Sequence, residues 1–327
     1  MFKVVSTDAH RFPPTVEPEI LAEVGAELVA VQCKNQDEVI AVTKDADGIL
    51  AMVTPLTRSV IQTWTRMKVI ARYGIGVDSV DLQAATDHGV YVTNVPDFCY
   101  DEVSDTAMSL ILAVSRKVVA MHQLVRQQVY DRSLAYPISR LRGKTLGLVA
   151  FGHIAQAVAR KAIPFGFKIL AYDPYVRPDT FVDFPVEFVG LEDLLRRSDI
   201  VSLHTPLTSE TRHMIGQSQF QMMKPTAFFI NTARGSVVDQ QALTKALQEK
   251  WIAGAGLDVY EKEPKLTPGL LNLENVVLLP HIGSATQDTR EQMAVVAARN
   301  AVAMARGKKP LNIINPEVFQ STKYLQK

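Results

Sequence analysis

The sequence predicts two α/β domains, each built on a doubly wound parallel sheet. Three observations carry that expectation. Short apolar runs alternate with amphipathic stretches along nearly the whole chain, which is the pattern of βαβ units. One long helical pattern over residues 102–126, followed by a polar and irregular stretch to 142, interrupts the alternation and divides it into two series. The length of 327 residues suits two domains of ordinary size, each able to bury its own core.

In the first series, residues 3–6, 26–31, 48–53, 69–72 and 90–94 read as strands, with helices over 17–24, 37–44, 59–67 and 81–88 between them. In the long helical pattern, Met108, Ile111, Leu112, Ser115 and Val119 can share one face. The second series has strands over 145–151, 168–172, 200–203, 227–231, 254–259 and 276–279. Its helices cover 153–163, 191–197, 218–223, 239–250 and 289–305. The last of these is expected to return to the first domain and make it discontinuous. The expected domains are therefore 1–101 plus 290–327, and 102–289.

Composition removes several function classes. Lys plus Arg total 35 and Asp plus Glu 34, a net charge of +1. That gives no electrostatic case for nucleic acid or an anionic membrane. No run of about 18 apolar residues occurs, so no transmembrane helix is expected. Met1-Phe2-Lys3-Val4-Val5-Ser6 leads straight into the first strand, without the charged and then apolar regions of a signal peptide. Cys33 and Cys99 are far apart and in no metal or redox spacing, which fits a reducing compartment, and the cytoplasm is expected. No His/Cys/Asp cluster has the spacing of a metal site, and no nucleophile elbow suggests a serine hydrolase.

Thr145-Leu146-Gly147-Leu148-Val149-Ala150-Phe151-Gly152-His153-Ile154-Ala155 reads as a strand, a tight turn and a helix start. That is the context of a dinucleotide-binding turn, in which backbone amides at a helix N-terminus take a pyrophosphate. The G-x-G-x-x-G pattern falls on Ala150, Gly152 and Ala155, so a methyl stands where the first glycine would turn most freely. His153 follows the central glycine and could face the pyrophosphate or the solvent. Asp173 ends the next strand pattern. A carboxylate there accepts from ribose hydroxyls and repels a 2′-phosphate, so NAD is expected over NADP. Arg177 lies near enough to keep NADP open.

Three further residues sit in loops after apolar runs: Arg234 in Asn231-Thr232-Ala233-Arg234-Gly235, Glu263 in Asp258-Val259-Tyr260-Glu261-Lys262-Glu263-Pro264, and His281 in Leu279-Pro280-His281-Ile282-Gly283-Ser284. An Arg can grip a carboxylate or polarise a carbonyl. An imidazole can give or take an alcohol proton, and a carboxylate can orient that imidazole and favour its protonated form. Together they are what reduction of a 2-oxo acid needs.

With these phrases in place, the chain resembles the D-isomer-specific 2-hydroxyacid dehydrogenases. The resemblance runs from about residue 45 to 310. It also takes in Ala71-Arg72-Tyr73-Gly74-Ile75-Gly76-Val77-Asp78, Thr93-Asn94-Val95-Pro96 and Leu203-His204-Thr205-Pro206-Leu207-Thr208. Asn94-Val95-Pro96 followed by Asp101-Glu102-Val103-Ser104-Asp105 looks closest to the C-terminal-binding-protein-like branch. The resemblance implies a Rossmann-like NAD-binding domain, 102–289, with a dimerisation arm over about 102–142. It also implies a flavodoxin-like substrate domain and an active site in the interdomain cleft. Arg234, Glu263 and His281 would be catalytic, with His281 the acid/base. Met52, Arg72 and the amides of Tyr73, Gly74 and Ile75 would bind substrate. Gly152, His153, Ile154, Asp173, His204, Thr205, Thr232, Ala233, Asp258, Gly283 and Ser284 would line the cofactor, Asp258 accepting from the nicotinamide carboxamide.

Departures from the family pattern are also visible. Ala150 stands for the usual first glycine and His153 for the usual Arg. Met52 stands where phosphoglycerate dehydrogenases carry a basic residue, which argues for an unphosphorylated substrate. The expected activity is NAD-dependent interconversion of a small D-2-hydroxy acid and its 2-oxo acid by a homodimer. The alternative from another class is an NAD(H)-sensing, corepressor-like interaction protein, though the Trp that marks the corepressors after the catalytic His is missing. A formate-type dehydrogenase is disfavoured, because that chemistry needs no proton donor. His10, His88, His122 and His213 read as surface or packing residues, and Cys99 as a small buried one.

Overall fold

The computed structural model describes residues 1–176 and 183–320. The chain divides into two compact units, Met1–Phe98 with Thr286–Lys327, and Cys99–Ala285. Among the described residues every strand pair within the two sheets is parallel.

The first unit holds five strands, β1 (Lys3–Ser6), β2 (Glu27–Ala30), β3 (Gly48–Ala51), β4 (Val69–Arg72) and β5 (Tyr91–Thr93), in the order β2-β1-β3-β4-β5. This is the flavodoxin-like order. Its helices are α1 (Glu17–Ala22), α2 (Gln36–Thr43), α3 (Arg58–Ile61) and α4 (Leu82–Asp87). Asn35 caps α2 and Asp81 caps α4 by accepting the amides of Glu38 and Ala84. The expected helix over 59–67 shrinks to the single turn of α3. Trp64 and Met67 leave the helix and are buried in the core with Ile61 and Ile70. The long helix α11 (Gln287–Ala305), capped by Thr286, packs on α1, β3 and β4.

In the second unit, β6 (Thr145–Val149), β7 (Lys168–Tyr172), β8 (Glu187–Phe188), β9 (Ile200–Leu203), β10 (Phe228–Asn231), β11 (Gly254–Leu257) and β12 (Val276–Leu278) form seven strands among the described residues. Their order is β12-β11-β10-β9-β6-β7-β8. The sequence predicts about six. The extra one, β8, is a two-residue edge strand whose Glu-Phe carries no periodicity to read. The sheet is buried on both faces. Leu146, Leu148 and Ile230 enter one apolar cluster, and Val149, Val201 and Phe229 the other, as continuous apolar strands require. The covering helices include α7 (His153–Ala162), α8 (Leu191–Arg197), α9 (Gln217–Met222) and α10 (Gln240–Gln248).

The long helical pattern is two helices, α5 (Tyr100–Ser115) and α6 (Val118–Arg126), bent by 61°. The break is at Lys117, whose φ is 52°. A left-handed lysine ends the i→i+4 ladder without a glycine or proline to announce it. α5 is a core helix of the second unit, whereas no residue of α6 is buried. No single helix among the described residues is long and apolar enough to cross a membrane.

Candidate active site

In an open α/β sheet, ligands bind at the carboxyl ends of strands where the strand order reverses. In the second unit that point lies between β6 and β9, because the chain builds β7 and β8 on one side and then returns to build β9 to β12 on the other. The turn after β6 is held by main-chain bonds. Ala150 donates to Tyr172 O at 2.8 Å, and Gln156 Nε2 donates to Phe151 O at 3.1 Å. Ala150 takes φ 68°, so the alanine at the first glycine position adopts the left-handed conformation the turn demands. Gly152 precedes α7 as its N-cap, and a Cβ there would meet nothing within 4 Å. His153 is exposed and stacks on Tyr100, 4.8 Å between centroids and 19° from parallel. Ile154 is half-buried beneath it. Asp173 ends β7 and turns back on the same loop, its Oδ2 accepting from Phe151 N at 2.8 Å and its Oδ1 from Tyr175 N at 2.8 Å. Arg177 lies outside the described residues.

His204 and Thr205 follow β9 and reach the same strand end. His204 N and Thr205 Oγ1 both donate to Val149 O, at 2.9 and 3.3 Å. Burial pulls the His204 imidazole down to about 4, and its Nε2 lies 2.9 Å from Ser202 Oγ. A neutral imidazole there suits a wall better than an acid/base. Thr232, after β10, has a buried Oγ1 with no hydrogen-bond partner. A buried hydroxyl without a partner is costly unless something else completes it. That orphan, the open Gly152 and the N-terminus of α7 fit a dinucleotide: its pyrophosphate on the turn, its adenosine ribose by Asp173 and its nicotinamide end by Thr232.

Arg234, Glu263 and His281 come from the loops after three neighbouring strands, β10, β11 and β12. Asn231 closes the loop after β10, accepting from Ala233 N at 3.0 Å and donating to Arg234 O at 3.1 Å. Arg234 Nη1 donates to Ala233 O at 2.7 Å. Gly235 allows the Tyr260 backbone to come so close that a Cβ would lie 1.9 Å from its carbonyl carbon. No side chain fits there, so the Arg234 loop and the 258–263 loop lie against each other.

Glu263 is gripped at both oxygens: Oε1 accepts from Tyr260 N at 3.0 Å, and Oε2 lies 2.8 Å from His281 Nδ1. Burial pushes its carboxyl up, but the His281 hydrogen bond and charge, the Tyr260 amide and the Arg234 charge outweigh burial and hold it below the usual range. His281 is about half exposed and takes φ 58°. Asp258, 1% exposed, fixes the loop beyond it through Ile282 N on Oδ1 and Gly283 N on Oδ2, both at 2.8 Å. Ser284 follows, half-buried. Backbone strain at a functional residue persists only when the surroundings over-determine it, and Asp258 with Glu263 supplies that determination.

In the first unit, Met52 follows β3, Arg72 ends β4, and Tyr73, Gly74 and Ile75 follow it. Arg72 is buried and donates through Nη1 to Ala51 O at 3.2 Å and through Nη2 to Gly76 O at 3.1 Å. Of the three amides expected to cradle an anion, that of Tyr73 already donates to Ala51 O at 3.1 Å, which leaves Gly74 and Ile75. Asp8 and Glu17 also hold these loops, and Tyr100, Asn231 and Tyr260 hold those of the second unit; a reading of the sequence assigns none of the five a role. Cys99 is buried, which pushes its thiol up to about 12. No group of three or more metal-ligating side chains occurs among the described residues.

Fold and site define a nucleotide-binding α/β dehydrogenase. Residues 108–283 match the family model described as the D-isomer specific 2-hydroxyacid dehydrogenase, NAD binding domain. A glyoxylate reductase of Thermococcus litoralis is 44% identical over 85% of this chain and 86% of its own length. One of Korarchaeum cryptofilum is 46% identical over 86% of each. The solved structure of the TT0316 protein of Thermus thermophilus superposes with a TM-score of 0.87 at 38% identity, over 96% of this chain and all of that one. The chain belongs to the D-isomer specific 2-hydroxyacid dehydrogenase family, and it is an NAD-binding oxidoreductase.

Proposed function

We propose that this enzyme reduces small, unphosphorylated 2-oxo acids with NADH, using His281 as the proton donor: glyoxylate first among them, giving achiral glycolate, and larger acids giving the D-2-hydroxy acid. The observation that carries the reading is the 2.8 Å contact between His281 Nδ1 and a Glu263 whose other oxygen is fixed by a backbone amide. A carboxylate on Nδ1 sets the tautomer and ring orientation and leaves Nε2 for the substrate. The relatives named glyoxylate reductase support the choice of acid.

In this reading NADH, when bound, supplies the hydride that reduces the 2-oxo carbon. His281 gives its proton to the carbonyl oxygen, and Glu263 holds the ring and balances its charge. Arg234 grips the substrate carboxylate and polarises the carbonyl. The amides of Gly74 and Ile75 take the carboxylate, and Met52 limits the size of the group on the 2-oxo carbon. The wall formed by His204, Thr205, Thr232, Ala233, Asp258, Gly283 and Ser284 holds the nicotinamide half, while Gly152, His153, Ile154 and Asp173 hold the adenosine half. The arm after α5 is proposed to pair two chains as a homodimer. Val118, Val125, Tyr130 and Tyr136 all stand more than half exposed along it, an apolar load that monomers rarely show to water.

The test is NADH oxidation against a panel of 2-oxo acids, with His281→Ala alongside. Turnover of glyoxylate that disappears in the variant is the expected result. Turnover that survives the variant would remove His281 from the role. Tight NADH binding without turnover of any acid would favour a cofactor-sensing protein.

A further inference from the structure

The first unit has its own reversal of strand order, between β1 and β3. The residues that leave those strands are Thr7-Asp8 and Met52. In a flavodoxin-like sheet this is where a ligand would sit against open backbone amides. Here the protein has filled it with its own acid. Asp8 is fully buried, and its Oδ2 accepts from Met52 N at 2.8 Å and from Thr7 Oγ1 at 3.2 Å. Its Oδ1 accepts from Thr54 Oγ1 at 3.0 Å.

The same peptide is held from its other side. The Ala51 carbonyl, one bond from the Met52 amide, accepts from Arg72 Nη1 at 3.2 Å and from Tyr73 N at 3.1 Å. An anion thus holds the N–H of the Ala51–Met52 peptide and a cation its C=O. Arg72 also grips Gly76 O, so it ties this loop to the loop of Gly74 and Ile75. The second loop has a buried acid of its own. Glu17, 0% exposed, accepts from Tyr73 Oη at 2.7 Å and from Thr15 N at 2.7 Å. Both loops that leave toward the proposed substrate are therefore anchored by acids from the first seventeen residues.

We infer that Asp8 and Arg72 are positioning residues for substrate selection: they hold the Ala51–Met52 peptide from its two sides and so fix where Met52 meets the 2-oxo acid. The inference rests on the reading of Met52 as a substrate-facing residue. A peptide held by hydrogen bonds at both its N–H and its C=O keeps its plane, so the thioether, flexible in itself, starts from a fixed Cα. Charge-assisted hydrogen bonds are the stronger kind, and neither side chain needs to touch substrate to act this way.

The experiment compares Asp8→Ala, Asp8→Asn and Thr54→Val for kcat and KM with glyoxylate and with a bulkier acid, 2-oxobutyrate. NADH affinity is measured alongside. Asp8→Ala is expected to raise KM for glyoxylate at least tenfold, to narrow the preference between the two acids at least threefold, and to leave kcat and NADH affinity within about twofold. Asp8→Asn can still accept from Met52 N and is expected to restore most of the preference. Should Asp8→Ala fail to fold, Thr54→Val carries the test with the same signs and smaller size. In the unmodified protein labelled at methionine methyls, oxalate is expected to shift the Met52 signal. A lowered melting temperature with KM and preference unchanged, or a Met52 signal indifferent to oxalate, would overturn the inference and leave Asp8 a stability residue. Wild-type protein that turns over no 2-oxo acid, or turnover that survives His281→Ala, shows instead that the functional reading has failed, and the inference falls with it.

Discussion

The β1/β3 crevice of the first unit and the β6/β9 crevice of the second arise in the same way, from a reversal of strand order in a parallel sheet. They are loaded in opposite senses. In the second unit Gly152 is open, α7 begins beneath it and Thr232 Oγ1 has no partner: donors are left for a ligand to complete. In the first unit the Met52 amide is already taken by Asp8. The carboxylates differ likewise. Asp8 meets only neutral donors and is buried. Glu263 meets an imidazole and is about one-third exposed. One topology thus leaves a glycine and a hydroxyl open in the second unit, where Asp173 takes the turn's Phe151 amide, and in the first unit closes the Met52 amide with Asp8. The carboxylate proposed to hold a reacting imidazole stands where water can reach it, and the one that holds only backbone and hydroxyls does not.

The sharpest way to break that contrast is at the titratable pair. His281→Ala is expected to lower kcat for 2-oxo acid reduction about 10³-fold, within the range of a lost general acid, with NADH affinity little changed. Equal losses from His281→Ala and Asp8→Ala in kcat would erase the distinction between the proposed proton donor and the mounting carboxylate. Glu263→Gln comes next, at about 10²-fold in kcat. Glutamine can still accept from Tyr260 N, so the fold should hold while the charge is lost. Because the Glu263 carboxyl lies below its usual range, its contribution to folding is present above that range and is lost as pH falls through the folded value. The variant should therefore lose part of the wild type's acid sensitivity in denaturant melts.

Asp258→Ala probes the mount within the catalytic unit. It strips the acceptor from Ile282 N and Gly283 N, leaving a left-handed His281 without its clamp. A loss of about 1 to 2 kcal/mol in stability follows from one buried and one half-buried donor left unpaired, and kcat should drop about tenfold. Wild-type stability with reduced kcat would mean that Asp258 acts on the cofactor alone.

His204 supplies a pH test of the closed wall. Its folded value is about 4, against roughly 6.5 for an unfolded histidine. Between those values the unfolded chain binds a proton that the folded chain does not. Stability is therefore full above about pH 6.5 and declines toward pH 4, by about 2 kcal/mol between pH 7.5 and 5. Urea midpoints of wild type and His204→Gln at the two pH values measure it. Equal slopes would show that this histidine is solvated.

Much of this was legible because it is local. Strand runs such as Lys168–Tyr172 and Ile200–Leu203 keep the bounds the apolar pattern gives them, and Arg234, Glu263 and His281 stand out because each follows an apolar strand run. What escaped is long-range or left-handed. Asp8 looks like any polar loop residue, since its partners Met52 and Thr54 lie 44 and 46 positions away. Lys117 breaks the long helix with a conformation that no lysine announces. Arg72 resembles a substrate-facing cation in the sequence, yet two of the groups it meets are main-chain carbonyls, and backbone acceptors leave no mark on a sequence.

The smallest effect concerns the turn that makes the second crevice a seat. Ala150 holds φ 68°, a conformation that costs an L-residue about 1 to 2 kcal/mol, whereas in the first unit the φ of 140° after β4 falls on a glycine, Gly74. Ala150→Gly removes that strain but frees the unfolded chain, which offsets about 0.4 to 1 kcal/mol. The net expectation is a gain of up to about 1 kcal/mol, or a rise of a few degrees at most in melting temperature for a chain of this size. NADH affinity should stay level or tighten, because the methyl no longer stands beside the pyrophosphate seat. A destabilised variant would mean that the methyl is packed to advantage in the turn, and that the open crevice is shaped by side chains as the closed one is.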